Sequence, residues 1–209
     1  IGRRGSINFF LTVKGIQGHT ANGHRAENPV HHLTKLLTNI LSEPLDNGNE
    51  YFLATSIQVP TFDVGNSAHN VIPEYARATI NIRFNDHHTA ESLINWIKIK
   101  INEVFADLKN ASCSLTEEIS ARSFINKKGE LTDIMSKSIA EATGRNEKPQ
   151  LATDGGTSDA RFIKNYCETA ELGIRNQTLH QIDEFVYIKD LEDLEKLYLK
   201  ILENYFFKN

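Results

Sequence analysis

The chain has 209 residues, of which 40% are hydrophobic and 24% charged, and its formal net charge is -4. This composition is typical of a globular protein with one domain or two small ones, and the weak negative charge argues against nucleic acid as a partner. No apolar stretch approaches the roughly 20 residues that a membrane-spanning helix needs, so we expect no membrane partner. The two cysteines, Cys113 and Cys167, have no CxxC spacing, and we expect reduced thiols in a cytoplasmic protein.

Two helices and four strands are predicted in the first 120 residues. In chain order they are a strand at 6–14, a helix at 29–41, strands at 51–64 and 70–84, a helix at 90–105 and a strand at 111–120. Apolar and polar residues alternate in the strands, whereas apolar residues recur at helical spacing in the second helix. Asn28 and Thr89 are typical helix N-caps, and Pro60 restricts its strand to a sheet edge or a bulge. The order β-α-β-β-α-β predicts a ferredoxin-like domain, with two helices on one face of an antiparallel sheet.

The remaining residues are predicted to form fewer elements. A helix at 131–143 ends at Gly144, a short strand covers 167–174, and Asp190 caps a last helix that reaches about Phe206. A single short strand has no partner for its backbone donors and acceptors. We therefore expect this part to need strands from sequence that precedes Ile1.

Histidines and one glycine-rich loop are the candidates for chemistry. His19 and His24 lie in a glycine-bounded loop, and His180 lies in the polar segment RNQTLHQIDE; each is either a solvated loop residue or a ligand, proton carrier or hydrogen-bond donor. The segment DGGTSDAR offers backbone N–H groups, hydroxyls and Arg161 to a carboxylate, or is a turn that caps a helix. Both alternatives stay open from spacing alone.

Several well-known catalytic motifs are missing from the sequence. It contains no HExxH, no HxD pair followed by spaced acidic residues, no GxSxG and no P-loop. A binuclear metal site needs four or more His and carboxylate ligands, and no coherent set is present. By its own residues, this chain is not expected to assemble a catalytic metal centre.

Four segments in order resemble one family. They are GRRGSINFFLTVKGIQGHTANGHRAENPVHHL, NVIPEYARATINIRF, GGTSDARFI and RNQTLHQIDEFVYIKDLEDL. They are similar to the succinyl-diaminopimelate desuccinylase branch of the dinuclear-zinc aminoacylase and carboxypeptidase family. The resemblance covers nearly the whole chain, and four motifs in the right order are more specific than any one of them.

The resemblance implies a two-part α/β architecture. Residues 1–5 would be a hinge, residues 6–111 a ferredoxin-like lid that forms a homodimer, and residues 112–209 the C-terminal part of a zinc-peptidase-like α/β catalytic domain. The N-terminal catalytic segment, which in the family carries most zinc ligands and the catalytic glutamate, would be missing. The implied cofactor is a pair of zinc ions, for which cobalt can substitute, with none bound tightly by this chain alone.

The resemblance also implies roles for individual residues. His180 matches the one zinc ligand of the C-terminal region, while His19 and Asn70 match lid residues that stabilise the oxyanion in the active site of the opposite subunit. The positions that match those around the substrate's carboxylates and amines are Arg3, Ser6, Arg83, Gly156, Thr157, Arg161 and Asn176. The chain departs from the family pattern at Asn22-Gly23, where an aromatic residue and a proline are usual, so a stacking contact to substrate is not expected there.

The implied activity is hydrolysis of N-succinyl-LL-2,6-diaminopimelate to succinate and LL-2,6-diaminopimelate, on the route to lysine and cell wall. Two other hypotheses remain at this point. One is a related deacylase such as acetylornithine deacetylase, and the other is that the isolated chain is an inactive dimerisation module.

Overall fold

The structure, a computed structural model, describes residues 1–126, 128–144, 148–174 and 177–207. It divides into two compact units. The larger unit consists of Arg3–Phe124 and Asp154–Thr157, and the smaller unit of Ile1–Gly2, Ile125–Thr153 and Ser158–Asn209. No helix in the described ranges has both the length and the apolar character needed to cross a bilayer.

The helices and strands agree with most of the predicted elements. The strands are β1 (Gly2–Arg3), β2 (Gly5–Lys14), β3 (Gly18–His19), β4 (Ser56–Asp63), β5 (Val71–Ile72), β6 (Tyr75–Phe84), β7 (Ser112–Ala121) and β8 (Phe124–Ile125). The α-helices are α1 (Pro29–Leu41), α2 (Ala90–Phe105), α3 (Glu130–Thr143), α4 (Ala160–Ile163) and α5 (Ile188–Phe206), and a 3₁₀ helix covers Thr20–Arg25.

The larger unit is built on a four-stranded antiparallel sheet. Its strand order is β4-β6-β2-β7, with β2 and β6 in the centre. This is the order of a ferredoxin-like domain, so the predicted fold of this unit is confirmed. The sheet includes β7, which lies beyond the predicted domain boundary at residue 111 and forms nine residue pairs with β2.

One face of the sheet carries the hydrophobic core. Alternate residues of β2 and β6, such as Phe9 and Ile80, are fully buried and lie opposite each other in the register. The helices α1 and α2 cover this face with buried leucines and isoleucines at helical spacing. The opposite face has no helix of this unit packed on it, and Phe10, which points there, is 42% exposed.

Both helices of this unit begin where the sequence predicts. The Asn28 side chain accepts a hydrogen bond from the Val30 N–H at 3.0 Å. The Thr89 hydroxyl accepts from the Ser92 N–H at 3.1 Å, and the Ser92 hydroxyl lies 3.0 Å from the Thr89 N–H. These contacts satisfy backbone donors that have no partner inside the helix.

The strand predicted at 51–64 is shorter than expected, because a polar network holds the residues before it in a loop. The Asn49 side chain accepts from the N–H groups of Tyr51 and Phe52, both at 3.0 Å, so these groups are not available to a sheet. The strand β4 therefore begins at Ser56. It is an edge strand, and its register shifts around Pro60, as the proline predicts.

Asp46 anchors this loop and gives the fold a measurable response to acid. Burial raises the pKa of Asp46, but hydrogen bonds from Thr55, Gly48 and Asn85 outweigh burial and bring the pKa from 3.8 down to about 2. The Asp46 Oδ2 also lies 3.0 Å from the His88 Nε2. A lowered pKa in the folded state stabilises the fold at pH values above about 4, and this contribution disappears as the pH falls towards 2.

We therefore expect the Asp46→Asn variant to lose about 1–2 kcal/mol of unfolding free energy at pH 7 and to differ much less from the wild type near pH 2. Urea unfolding at the two pH values measures this difference. The matched control is Asp86→Asn, because Asp86 is exposed on the same loop network and its change should matter little. An equal loss for Asp46→Asn at both pH values would contradict the account.

The smaller unit contains two long helices that pack on each other. The Asn204 side chain of α5 donates to the Ser138 hydroxyl of α3 at 3.0 Å, and Lys200 lies 3.5 Å from Glu141. The prediction of a strand at 167–174 is wrong, since none of these residues belongs to a strand. Asp190 lies in the first turn of α5 rather than at its N-cap, which is Tyr187. An acidic residue is favourable in either position because it faces the positive end of the helix dipole.

Candidate functional site

A cluster of arginines in the larger unit contacts the glycine-rich loop Asp154–Thr157 of the same unit. The Arg3 Nη1 donates to the Asp154 carbonyl oxygen at 3.0 Å, and the Arg83 Nη1 donates to the Thr157 hydroxyl at 3.4 Å. Gly155 has φ of 102°, a conformation that residues with a Cβ rarely adopt. Three of the predicted substrate-binding residues, Arg3, Arg83 and Thr157, are therefore brought together in one unit.

The cluster carries more positive than negative charge. Arg4 follows Arg3, and its Nη1 donates to the Ala54 carbonyl oxygen at 3.3 Å and to the Ser56 hydroxyl at 3.4 Å. Burial, and then the charge of Arg83, lower the pKa of Arg4, while Asp154 acts in the opposite direction. Arg4 and Arg83 are thus close enough for their positive charges to interact, and two neighbouring guanidinium groups favour an incoming anion.

Ser6 and Gly156 complete the predicted residues of this region. Ser6 is 2% exposed and lies opposite Arg83 in the register of β2 and β6. Gly156 is exposed, and no described atom lies within 4 Å of the position that its Cβ would take. Nothing in the described residues requires glycine at 156, in contrast to Gly155.

His19 and Asn70 are neighbours at a separate place on the larger unit. The short strands β3 and β5 pair, with His19 opposite Val71, and the Thr20 N–H donates to the Asn70 carbonyl oxygen at 3.0 Å. The side chains of both His19 and Asn70 are exposed. The local pairing therefore brings the backbones of His19 and Asn70 close together, and both side chains are exposed and capable of hydrogen-bond donation.

The hydrogen bond at His19 also selects a tautomer. The Ala21 N–H donates to the His19 Nδ1 at 3.1 Å, so Nδ1 acts as an acceptor. A neutral imidazole then carries its proton on Nε2. This arrangement directs an N–H group outward, which is the geometry that a donor to an oxyanion needs.

Two predicted residues lie in the smaller unit, and one lies outside the described residues. Arg161 is on α4, with its guanidinium 4.6 Å from the ring centroid of Phe162. His180 is exposed, has φ of 60°, and its backbone N–H lies 3.3 Å from the Glu184 Oε2. Residues with a Cβ seldom adopt this left-handed conformation. Those that do are found more often at functional sites than elsewhere. Asn176 is outside the described residues.

The model of the M20 family described as the peptidase dimerisation domain matches residues 1–109, more than half of the chain. The chain belongs to this family. The matched range covers the sheet strands β2, β4 and β6 and both helices of the larger unit, and it ends just before β7. The M20 dimerisation domain of this chain therefore contains His19, Asn70, Arg3 and Arg83.

Curated relatives of this M20 chain are named succinyl-diaminopimelate desuccinylases. The protein from Cereibacter sphaeroides is 45% identical over 99% of this chain, and the proteins from Methylocella silvestris and Nitrobacter hamburgensis are both 46% identical over 99%. These matches cover 53%, 53% and 52% of the relatives. The chain thus spans about half the length of the curated relatives that it matches.

Solved structures show the same fold at low sequence identity. A tripeptidase from Staphylococcus aureus has a TM-score of 0.75 at 21% identity, with 97% of this chain and 52% of the tripeptidase covered. An M20 family metallo-carboxypeptidase from Sulfolobus solfataricus has a TM-score of 0.73 at 15% identity, with 98% of this chain and 59% of the carboxypeptidase covered. At these identities the likeness concerns the fold alone.

The described residues of this M20 chain do not by themselves fit a zinc site. Within the described ranges, no group of three or more His, Cys, Asp or Glu side chains is placed to hold a metal ion. His180 is a single candidate donor, and a zinc site needs three or four. A zinc centre that uses His180 would therefore need ligands from outside the described residues.

Sequence reasoning missed three polar residues around Arg83. Asn81 accepts a hydrogen bond from the Arg83 Nε at 3.2 Å, and its own Nδ2 donates to the Asn8 Oδ1. Arg4 lies close enough to Arg83 for the charge of Arg83 to lower the pKa of Arg4. The signal was available in part, because residues 81 and 83 lie on the same face of a strand. The partner on β2, Asn8, required the register, which the sequence did not provide.

Proposed function

We propose that this chain is the lid and the C-terminal catalytic part of a succinyl-diaminopimelate desuccinylase. The longer protein would hydrolyse the amide of N-succinyl-LL-2,6-diaminopimelate, releasing succinate and LL-2,6-diaminopimelate for lysine and cell-wall synthesis. The observation that carries this proposal is identity of about 45% over 99% of the chain to proteins with that name. The match to the peptidase dimerisation domain and the M20-type fold support it.

The arginine cluster is suited to the charge of such a substrate. N-succinyl-diaminopimelate carries carboxylates on both of its parts, and the cluster brings Arg3 and Arg83 to the loop Asp154–Thr157 with Arg4 close to Arg83. A guanidinium pairs with a carboxylate through two parallel N–H donors, which fixes the orientation as well as the charge. In this proposal, Ser6, Gly156 and Thr157 line the same subsite. Following the family resemblance alone, Arg161 and Asn176 are also substrate-binding residues.

His19 and Asn70 have a different role in the proposal. The outward N–H of His19 would donate to the oxygen that becomes negative when water attacks the amide carbonyl. Following the family resemblance, the two side chains act in the active site of the opposite subunit. Two zinc ions would be held mainly by the part of the longer protein that this chain lacks, with His180 as one ligand.

The proposed activity is tested by comparing two substrates. The full-length protein, loaded with zinc, should hydrolyse N-succinyl-LL-2,6-diaminopimelate with kcat/KM at least about 100-fold higher than for N-acetylornithine, because only the first presents the succinyl carboxylate to an arginine. Faster turnover of N-acetylornithine would instead support the related deacetylase. Failure to release succinate at all would rule out the desuccinylase.

Homodimer formation through the larger unit is the property that the isolated chain should retain. The open strand edges of β4 and β7 and the exposed sides of α1 and α2 offer backbone and side-chain contacts to a second copy. We expect sedimentation equilibrium of the 209-residue chain to show a monomer–dimer equilibrium with a two-fold mass increase. A monomer at all concentrations up to the millimolar range would contradict dimerisation.

A further inference from the structure

A chain of side-chain hydrogen bonds ends at the guanidinium of Arg83. On the face of the sheet that carries no helix of the larger unit, the Asn81 Nδ2 donates to the Asn8 Oδ1 at 2.7 Å. Because Nδ2 of Asn81 is directed to Asn8, its Oδ1 is directed the other way, where it accepts from the Arg83 Nε at 3.2 Å. Asn8 and Asn81 are direct partners in the register of β2 and β6, so the backbone fixes both ends of the pair.

These contacts leave a defined edge of the guanidinium for a ligand. The Nε of Arg83 is occupied by Asn81, and Nη1 donates to the Thr157 hydroxyl at 3.4 Å. In the described part of the chain, Nη2 has no recorded hydrogen-bond partner. An arginine whose Nε is already hydrogen-bonded cannot turn its guanidinium away from the site without breaking that bond. Less conformational entropy is therefore lost when an anion binds.

We propose that Asn81, oriented by Asn8, is a positioning residue that holds the Arg83 fork towards a carboxylate of the substrate. This role rests on the proposed function, since it assigns the carboxylate to a succinylated substrate. Asn81 itself would not touch the ligand. It acts through Arg83, in contrast to an ordinary cross-strand pair that only stabilises the sheet.

Succinate, as an isolated dicarboxylate, tests this role in the 209-residue chain without any turnover. In a ¹⁵N NMR titration of the wild type, we expect succinate to shift the Arg83 Nε–H signal. Arg83→Ala should weaken the affinity for succinate about 10-fold or more, and Asn81→Ala should weaken it about 5-fold. In the Arg83→Ala background, Asn81→Ala should have no further effect on succinate affinity. The Arg83 Nε–H should also exchange faster with solvent in Asn81→Ala than in the wild type.

The matched control is Thr79→Ala. Thr79 lies two residues before Asn81 on the same face of β6, and its hydroxyl bonds to the Thr61 hydroxyl at 3.0 Å, so its loss perturbs a similar cross-strand contact away from Arg83. We expect Thr79→Ala to bind succinate as the wild type does, and circular dichroism to show all variants folded.

Three results would overturn the positioning role of Asn81. They are the absence of succinate binding by the wild type, equal weakening by Thr79→Ala and Asn81→Ala, and an additive effect of Asn81→Ala in the Arg83→Ala background. The proposed activity is tested separately by turnover. If succinate binds as expected but the full-length protein releases no succinate from N-succinyl-LL-2,6-diaminopimelate, the desuccinylase fails and the role of Asn81 as the partner of an anion-binding arginine stands.

Discussion

The Phe9→Ala variant should lose about 3–5 kcal/mol of unfolding free energy in the larger unit. Phe9 is fully buried on β2, the central strand that pairs with both β6 and β7, and it lies opposite the fully buried Ile80. Removing the ring leaves a cavity that the rigid sheet and the two helices cannot close. Chemical denaturation followed by circular dichroism measures the loss.

The neighbouring phenylalanine gives a matched control. Phe10 differs by one position in the strand and points to the face without a helix, where it is 42% exposed. We expect Phe10→Ala to change the unfolding free energy by less than about 1 kcal/mol, because little buried surface is lost. Equal losses at the two positions would contradict the assignment of the core to the helical face.

The His19→Ala variant of the full-length protein should lower kcat about 100- to 1000-fold with little change in KM. The His19 Nε2–H is directed outward because Nδ1 accepts from Ala21, and the proposal uses this donor only when negative charge develops on the carbonyl oxygen. An interaction made only in the transition state affects kcat rather than substrate affinity. Steady-state kinetics with N-succinyl-LL-2,6-diaminopimelate provide the measurement.

His24 is the control for His19. It is exposed in the 3₁₀ helix that follows β3, and the family resemblance assigns it no role in the oxyanion contact. His24→Ala should therefore keep kcat within about threefold of the wild type, as is typical of surface substitutions. If both variants lost the same activity, a general effect on the loop would explain the result better than donation by His19.

The helices and strands of the larger unit could be predicted because residues close together in the sequence specify each of them. Alternating residues in β2 and β6, the caps at Asn28 and Thr89, and the proline in β4 each specify an element without knowledge of its partner. The order of these elements then restricts the topology to few possibilities. The start of β4 was missed because Asp46 and Asn49 bind backbone groups through side chains, a competition that strand patterns do not reveal.

The smaller unit was predicted less well because its elements depend on partners. Residues 167–174 have apolar content that is compatible with a strand, but none of them belongs to one in the structure. A strand needs a neighbour to satisfy its backbone groups, and periodicity cannot report whether the neighbour is present. Apolar residues on α5 are also exposed, for example Leu199 at 59% and Phe206 at 68%.

The sequence suggested residues for the candidate site but not their geometry. The resemblance supplied Arg3, Arg83 and Thr157, and the structure brings them to the same loop. It did not supply Asn8 and Asn81, because their role comes from a cross-strand register rather than from a motif. In the described ranges, no three His, Cys, Asp or Glu side chains are grouped so that they could hold a metal ion.

In the proposed function, this chain supplies one metal ligand and the substrate-binding arginines to a zinc desuccinylase. This proposal is tested most directly by measuring succinate release and bound zinc together in the full-length protein and its His180→Ala variant. The account predicts that the wild type releases succinate from N-succinyl-LL-2,6-diaminopimelate, and that His180→Ala loses zinc and at least about 100-fold of kcat while staying folded. Unchanged zinc content and activity in His180→Ala, or no succinate release by the zinc-loaded wild type, would contradict it.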